Sequence, residues 1–295
     1  MIMIIRKEQP SDYRAVENLT REAFWNVYRP GCTEHFVLHC YRSNPDFIPE
    51  LSLVMEEDGK LIGHVMFSHA SLVKPDGTKM PAWTFGPISI APDYKRKGYG
   101  LKLLSHAMAK AREMGIAMLC MEGNIDFYRH AGFVPASSLG LHYHDTPDAE
   151  ASFFLACELT PGYLNGVEAT YTPPKGYFAA DDMPDEFAAY EAEFEPKVKR
   201  FMPGQLPQLC QSCGMPIAEE NICGTNADGS VNFEYCKFCY DKGEFMQPYT
   251  MEGMINHCLK FIDEVNHFMP QPITPEQYSD MLHKLLPRLK RWRNG

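Results

Sequence analysis

Apolar residues at Val16, Leu19, Ala23 and Val27 follow Ser11 and Asp12 at spacings of three and four, the repeat that gathers side chains on one helical face. The pattern predicts a first helix over 11–28, after a short apolar run at 1–5 that reads as a strand. Three extended runs come next, at 51–55, 61–73 and 80–90, separated by the turn signals EDGK and KPDGT. Runs so joined predict an antiparallel meander. Over 98–114 the helical period returns, with Leu101, Leu104, Met108 and Ala111 on one face and Gly115 where a helix end favours a left-handed residue. A buried strand at 116–121, a short helix and a last strand near 153–159 complete the first series.

This order predicts an α/β (α+β) fold, a mixed sheet flanked by helices, held within residues 1–178. Residues 179–204 are acidic and bounded by prolines, and read as a helical connector packed on the first domain, with a helix over 184–198. Residues 205–295 form a second domain. There Met251, Met254, Ile255, Cys258, Ile262 and Val265 trace a helical stripe. Thr274, Pro275 and Gln277 form a capping box, after which Tyr278, Met281, Leu282 and Leu285 continue apolar.

Composition narrows the function classes. No stretch of the 295 residues approaches the roughly 20 uninterrupted apolar positions of a membrane-spanning helix, so a soluble, cytoplasmic protein is expected. The net charge of −10 argues against a nucleic-acid platform. One basic stretch, Lys284, Arg288, Lys290, Arg291 and Arg293, reads as a helix C-terminus complementing its dipole. Of ten cysteines, four form two CxxC pairs, which favours a reducing compartment and a metal site over disulfides.

The segment ISIAPDYKRKGYG places a strand, a basic glycine-containing turn and a helix start in succession. At such a turn backbone N–H groups without intrahelical partners converge where the helix dipole also favours negative charge, which is the outline of a phosphate site. Gly98 and Gly100 leave room for an anion, while Lys95, Arg96 and Lys97 add positive charge. KRKGYG resembles the Gln/Arg-x-x-Gly-x-Gly/Ala motif of the GNAT superfamily of N-acetyltransferases, with Lys95 in place of the usual first residue. The downstream GNIDFYRHAGF resembles that superfamily's second signature, and 47–68 and 158–166 resemble one bacterial subgroup of it.

The resemblance implies a GNAT-type sheet that binds acetyl-CoA through Lys95, Arg96, Lys97, Gly98, Tyr99 and Gly100, with pantetheine along Ile88, Ser89 and Ile90. It also implies that Tyr128 is the acid protonating the departing thiolate, and that backbone N–H groups near Ile88, freed where the strand splays, stabilise the oxyanion. The acceptor would be an amine, on a small molecule or a protein. Glu50, His64 and His69 remain open as bases, and a non-catalytic acyl-CoA sensor is the alternative function.

Cys210 and Cys213, then Cys236 and Cys239 after 22 residues, have the spacing of two zinc knuckles. Four thiolates leave no position for water, so a structural Zn2+ is expected. Cys258 lies on an apolar stripe and reads as core. The segments CQSCGMPI, GTNADGSVNFEYCKFCYDKGEF and PRLKRW resemble a bacterial zinc ribbon family of obscure function, so a small zinc ribbon with helices is expected, through which a protein partner could bind.

Overall fold

The computed structural model describes residues 2–205, 207–267, 269 and 271–293. Its contacts divide the chain into two compact units. The first contains the residues up to Trp25 together with Cys32–Lys197; the second contains Asn26–Gly31 and the chain from Val198 onward.

The first unit begins with β1 (Met3–Lys7), α1 (Tyr13–Phe24) and α2 (Glu34–Tyr41). The meander follows as β2 (Leu53–Glu57), β3 (Lys60–Val73) and β4 (Lys79–Ile90), each antiparallel to the last. Asp58 and Gly59 both take positive φ at the β2–β3 connection, which the right-handed twist of a two-residue hairpin demands. Then come α3 (Tyr99–Glu113), β5 (Met118–Glu122), α4 (Ile125–Tyr128), β6 (Val134–Pro135), β7 (Leu141–Tyr143), β8 (Phe154–Glu158) and β9 (Ala169–Tyr171). β1 joins β2, β9 joins β3 at Leu72 and Val73, and β7 runs parallel to β9, so the sheet is mixed. β5, β8 and β6 make a separate antiparallel sheet.

One core cluster joins Met55, Val65, Phe67 and Phe85 to Leu103, Leu104, Ala107 and Met108 of α3. The inward stripe of α3 includes Leu103 rather than the half-buried Leu101. Another cluster joins Val54 and Met66 to Val16 of α1 and Val37, Leu38 and Tyr41 of α2. Successive residues of β2 and β3 thus enter different clusters, as period-two alternation requires.

Two local expectations are corrected, and one helix escaped them. α1 stops at Phe24: Asn26 turns to φ 58, its side chain accepts from Gly31 N–H at 2.8 Å, and Val27 is left 43% exposed. α2 escapes the periodicity because it is enclosed on two sides, with Phe36 against α5 (Ala179–Asp182) and α6 (Pro184–Glu191) and Leu38 toward the sheet. The helix expected over 184–198 ends at Glu191, whose carboxylate is held by Arg21 of α1 and by His35 of α2 at 2.8 Å.

The second unit is built from three hairpins: β10 (Gln208–Leu209) with β11 (Pro216–Ile217), β12 (Cys223–Thr225) with β13 (Val231–Cys236), and β14 (Tyr240–Asp241) with β15 (Glu244–Phe245). α7 (Met251–Cys258), α8 (Ile262–Asn266) and α9 (Pro275–Leu285) follow. The capping box at Thr274 and Gln277 is formed. A 3-10 turn at Leu259–Phe261 separates α7 from α8, and Met281 faces outward while Leu282, Leu286 and Leu289 enter the core. The basic tail is used for packing: Arg291 donates to Ser212 Oγ at 2.9 Å and to Gln247 O at 2.7 Å, with its guanidinium over Phe245.

Candidate functional site

β4 ends at Ile90 and α3 begins at Tyr99, and the turn between them is shaped by positive φ at Arg96 (59°) and Gly98 (85°). Gly98 is the helix N-cap and offers no side-chain cap. The first N–H groups of α3 therefore leave the helix without intrahelical acceptors, at its positive dipole end. A Cβ at Gly98 would meet nothing within 4 Å, so the turn is open there. Gly100 serves a different purpose: a Cβ would stand 3.3 Å from Phe127 Cζ and 3.6 Å from Ile90 Cγ1, so its hydrogen lets α4 close on α3.

The three basic residues diverge. All three are exposed, but Lys95 Nζ is tethered, donating to Ala23 O at 2.5 Å, and desolvation by the neighbouring protein lowers its pKa. Tyr99 O–H donates to Glu57 at 2.6 Å, fixing the first turn of α3 to the end of β2. Upstream, Ile88 and Ile90 pack on the α3 side of the sheet, while the Ser89 hydroxyl donates to Thr20 of α1 at 3.0 Å.

β4 pairs with β3 and β5 with β8, and among the described residues no hydrogen-bonded ladder joins β4 to β5. Tyr128 stands beside this gap. Its ring lies edge-on to Phe85 of β4 and to Phe133, with centroids 5.9 and 5.8 Å away. A Cβ on Gly123 would fall 2.4 Å from Tyr128 Cε2, so the glycine is what lets the ring seat over the end of β5.

The opposite face of that strand end carries a carboxylate that periodicity did not single out. Glu122 accepts from Tyr143 O–H at 2.8 Å. Glu122 keeps an exposed face; desolvation by the protein around it raises its pKa, opposed by that hydrogen bond and by His144. Its signal in the sequence was a lone acid closing an apolar strand; Tyr143, 21 residues away, gave none.

Glu50 and His69 line a concavity of about 270 Å³ with Phe47, Trp83 and Met114, at the C-terminal end of α3. His64 is fully buried, with Nε2 3.1 Å from Ser52 Oγ and no partner for Nδ1. Because the Ser52 hydroxyl is committed to Glu8 at 2.8 Å, His64 is the neutral Nε2–H tautomer, closed off from solvent. Burial pushes its pKa down to about 3.

In the second unit, the Sγ atoms of Cys210, Cys213, Cys236 and Cys239 all lie within 4.8 Å of one another. Thiolates about 2.3 Å from one zinc ion stand about 3.8 Å apart at the corners of a tetrahedron. The Cys213–Cys236 separation is 3.9 Å, so the donor set fits zinc in chemistry and size. Cys236 N–H points at Cys210 Sγ at 3.3 Å, supplying the outer hydrogen bond a thiolate ligand accepts. Cys223 and Cys258 lie outside the four-sulfur cluster, buried in the surrounding core.

Comparison with known proteins agrees with both halves. The family model described as "Acetyltransferase (GNAT) family" matches residues 18–133, and that described as "Putative zinc ribbon domain" matches residues 209–293. A curated relative from Escherichia coli K12, the uncharacterized N-acetyltransferase YjhQ, is 28% identical over 89 residues, 30% of this chain; the match spans about half, 49%, of that relative's length. The crystal structure of the E. coli GNAT family N-acetyltransferase YhbS in complex with CoA matches 59% of this chain and 91% of its own, at 23% identity and a TM-score of 0.51. A Brucella melitensis GNAT acetyltransferase in complex with acetyl-CoA aligns over 60% of this chain and 98% of its own, at 25% identity and a TM-score of 0.48. No helix among the described residues is long and apolar enough to cross a membrane. The chain thus carries a GNAT acetyltransferase domain in its first unit, followed by a zinc ribbon domain that contains the four-cysteine cluster.

Proposed function

We propose that the first unit transfers an acetyl group from acetyl-CoA to an amine. The observation that carries this reading is the single run of β4, open Gly98 turn and uncapped α3, with Tyr128 beside the β4–β5 gap. The leading N–H groups of α3, with Arg96 and Lys97, are suited to the diphosphate, and the unpaired edge of β4 at Ile88, Ser89 and Ile90 to pantetheine. Lys95 supports the turn from behind through Ala23. Tyr128 donates a proton to the departing thiolate, whose ordinary pKa near 8.5 makes it a fair leaving group. The complexes reported for YhbS and the Brucella protein are in keeping with CoA as the donor.

Two variants test the assignment. Gly98→Glu sets bulk and negative charge in the open turn, so calorimetric acetyl-CoA affinity should collapse; unchanged affinity in a folded variant refutes the site. Tyr128→Phe keeps the ring packing and should lower turnover about tenfold to a thousandfold with little change in acetyl-CoA binding. Thiol release across a panel of amines identifies the acceptor, small molecule or protein. Tight acetyl-CoA binding without turnover on any amine would favour a non-catalytic sensor.

The ribbon is proposed to hold one structural zinc. It would present Phe238, 66% exposed between ligands Cys236 and Cys239, to an acceptor or a protein partner.

A further inference from the structure

We propose that Glu122 takes the proton from the acceptor's ammonium group, with Tyr143 as the residue that positions its carboxylate. The inference rests on the transferase reading above and names a residue that reading leaves out. Along β5, Leu119 and Met121 enter the cluster on the α3 side, and Met118 and Cys120 enter the cluster built around Phe154 and Tyr171. The place of a Cβ on Gly123 is filled from the α3 side by Tyr128; Glu122, one residue earlier, leaves from the other side with Cys120. Proton donor and proton acceptor therefore flank the strand end from opposite faces.

On the Glu122 face, β4 offers Gly86, where an added Cβ would stand 3.9 Å from Tyr177 Cε1, and Tyr177 O–H lies 3.2 Å from Ser68 Oγ. The titratable groups that act on Glu122 or feel it are Tyr143 of β7, His144 just after it, Tyr171 of β9 and Cys120 of its own strand. None is a lysine or arginine that would pin the carboxylate in its charged form. A carboxylate held by a phenol at the exposed end of a strand, with no lysine or arginine beside it, is open to an incoming ammonium, its complementary charge.

The proton count closes. Glu122 removes one proton from the ammonium, and the neutral nitrogen forms a bond to the thioester carbonyl carbon. The C–S bond then breaks with its electron pair on sulfur, Tyr128 protonates that sulfur, and the second nitrogen proton restores Tyr128. Glu122 returns its proton to solvent.

The test uses the full zinc-loaded chain labelled with δ-13C glutamate, saturated with CoA and titrated with benzylammonium chloride. The Glu122 signal, identified by its loss in Glu122→Gln, should titrate above the ordinary value of about 4.3 and move saturably with the amine. Tyr143→Phe should raise its midpoint further, since the phenol donates to the charged form. Glu122→Gln should keep CoA affinity and lower kcat/KM for benzylamine acetylation about tenfold to a thousandfold. A signal that titrates in the ordinary range and ignores benzylammonium overturns the proposal, as does a Gln variant with unchanged kcat/KM. Failure of wild-type protein to bind CoA would instead sink the transferase reading, so the two failures are distinct.

Discussion

Lys95 Nζ donates to Ala23 O at 2.5 Å, tying the turn that follows β4 to the last turn of α1. Three consecutive basic residues, all exposed, thus divide into one tethered strut and two charges outside that tether. Lys95→Met should weaken acetyl-CoA binding by loosening the turn while leaving its salt dependence unchanged. Arg96→Met and Lys97→Met should flatten that dependence, because their charges are the ones free to act on an anion through solvent. Calorimetry at low and high ionic strength separates the two effects; a flattened slope for Lys95→Met would place its ammonium on the ligand.

Arg42 lies buried between two buried carboxylates, with Nη2 2.7 Å from Glu8 and Nη1 2.5 Å from Glu17, and its guanidinium stacks over Tyr13. Removing one partner of such a set leaves charge uncompensated in a poorly polarisable interior. Arg42→Ala should destabilise the first unit by about 3–5 kcal/mol, read from urea unfolding. A loss below about 1 kcal/mol, the range of an exposed pair, would mean that the cluster is effectively solvated.

His64 makes the first unit sensitive to acid. Its folded pKa of about 3 lies far below the unfolded value near 6.5, through burial first and then the Arg42 charge, against a smaller opposing effect of Asp12. Between these values the unfolded chain binds a proton that the folded one refuses. The contribution is therefore fully present above about pH 6.5, falls as the pH drops, and levels off below about 3. His64→Gln keeps a donor toward Ser52 without the titration, so the stability of wild type relative to the variant should decline between pH 7 and pH 4.5. A difference independent of pH would show that His64 titrates normally.

Metal removal should act on the second unit first. The strands of its hairpins are only two to six residues long, so a bound ion would supply much of the folding free energy. One zinc per chain should copurify, and chelation or Cys236→Ser should abolish one unfolding transition while acetyl-CoA binding persists. A stripped protein with an unchanged unfolding profile would remove zinc from the account. Loss of acetyl-CoA binding on stripping would refute the independence of the two units.

What the sequence by itself determined is local. Extended runs parted by turn signals gave the meander, a repeat of three and four gave α1 and α3, Gly98 and Gly115 marked the ends of α3, and two CxxC pairs gave the four sulfurs that the fold brings together. Each is set by residues within a few positions of one another, or by ligand chemistry that tolerates only one pairing. Tertiary structure decided the rest. Which way Lys95 points depends on where α1 ends, and α1 ends at Phe24 because Asn26 closes a loop with Gly31. α2 has no clean apolar stripe because two layers of protein cover it. Glu122 meets Tyr143 only because β7 is carried by β9 while β5 pairs with β8, and His64 is shut away from any substrate by the packing of α1 on the sheet. A side chain's face is fixed by its neighbours in the chain; what that face meets is fixed by strand register and helix packing, which no local pattern encodes.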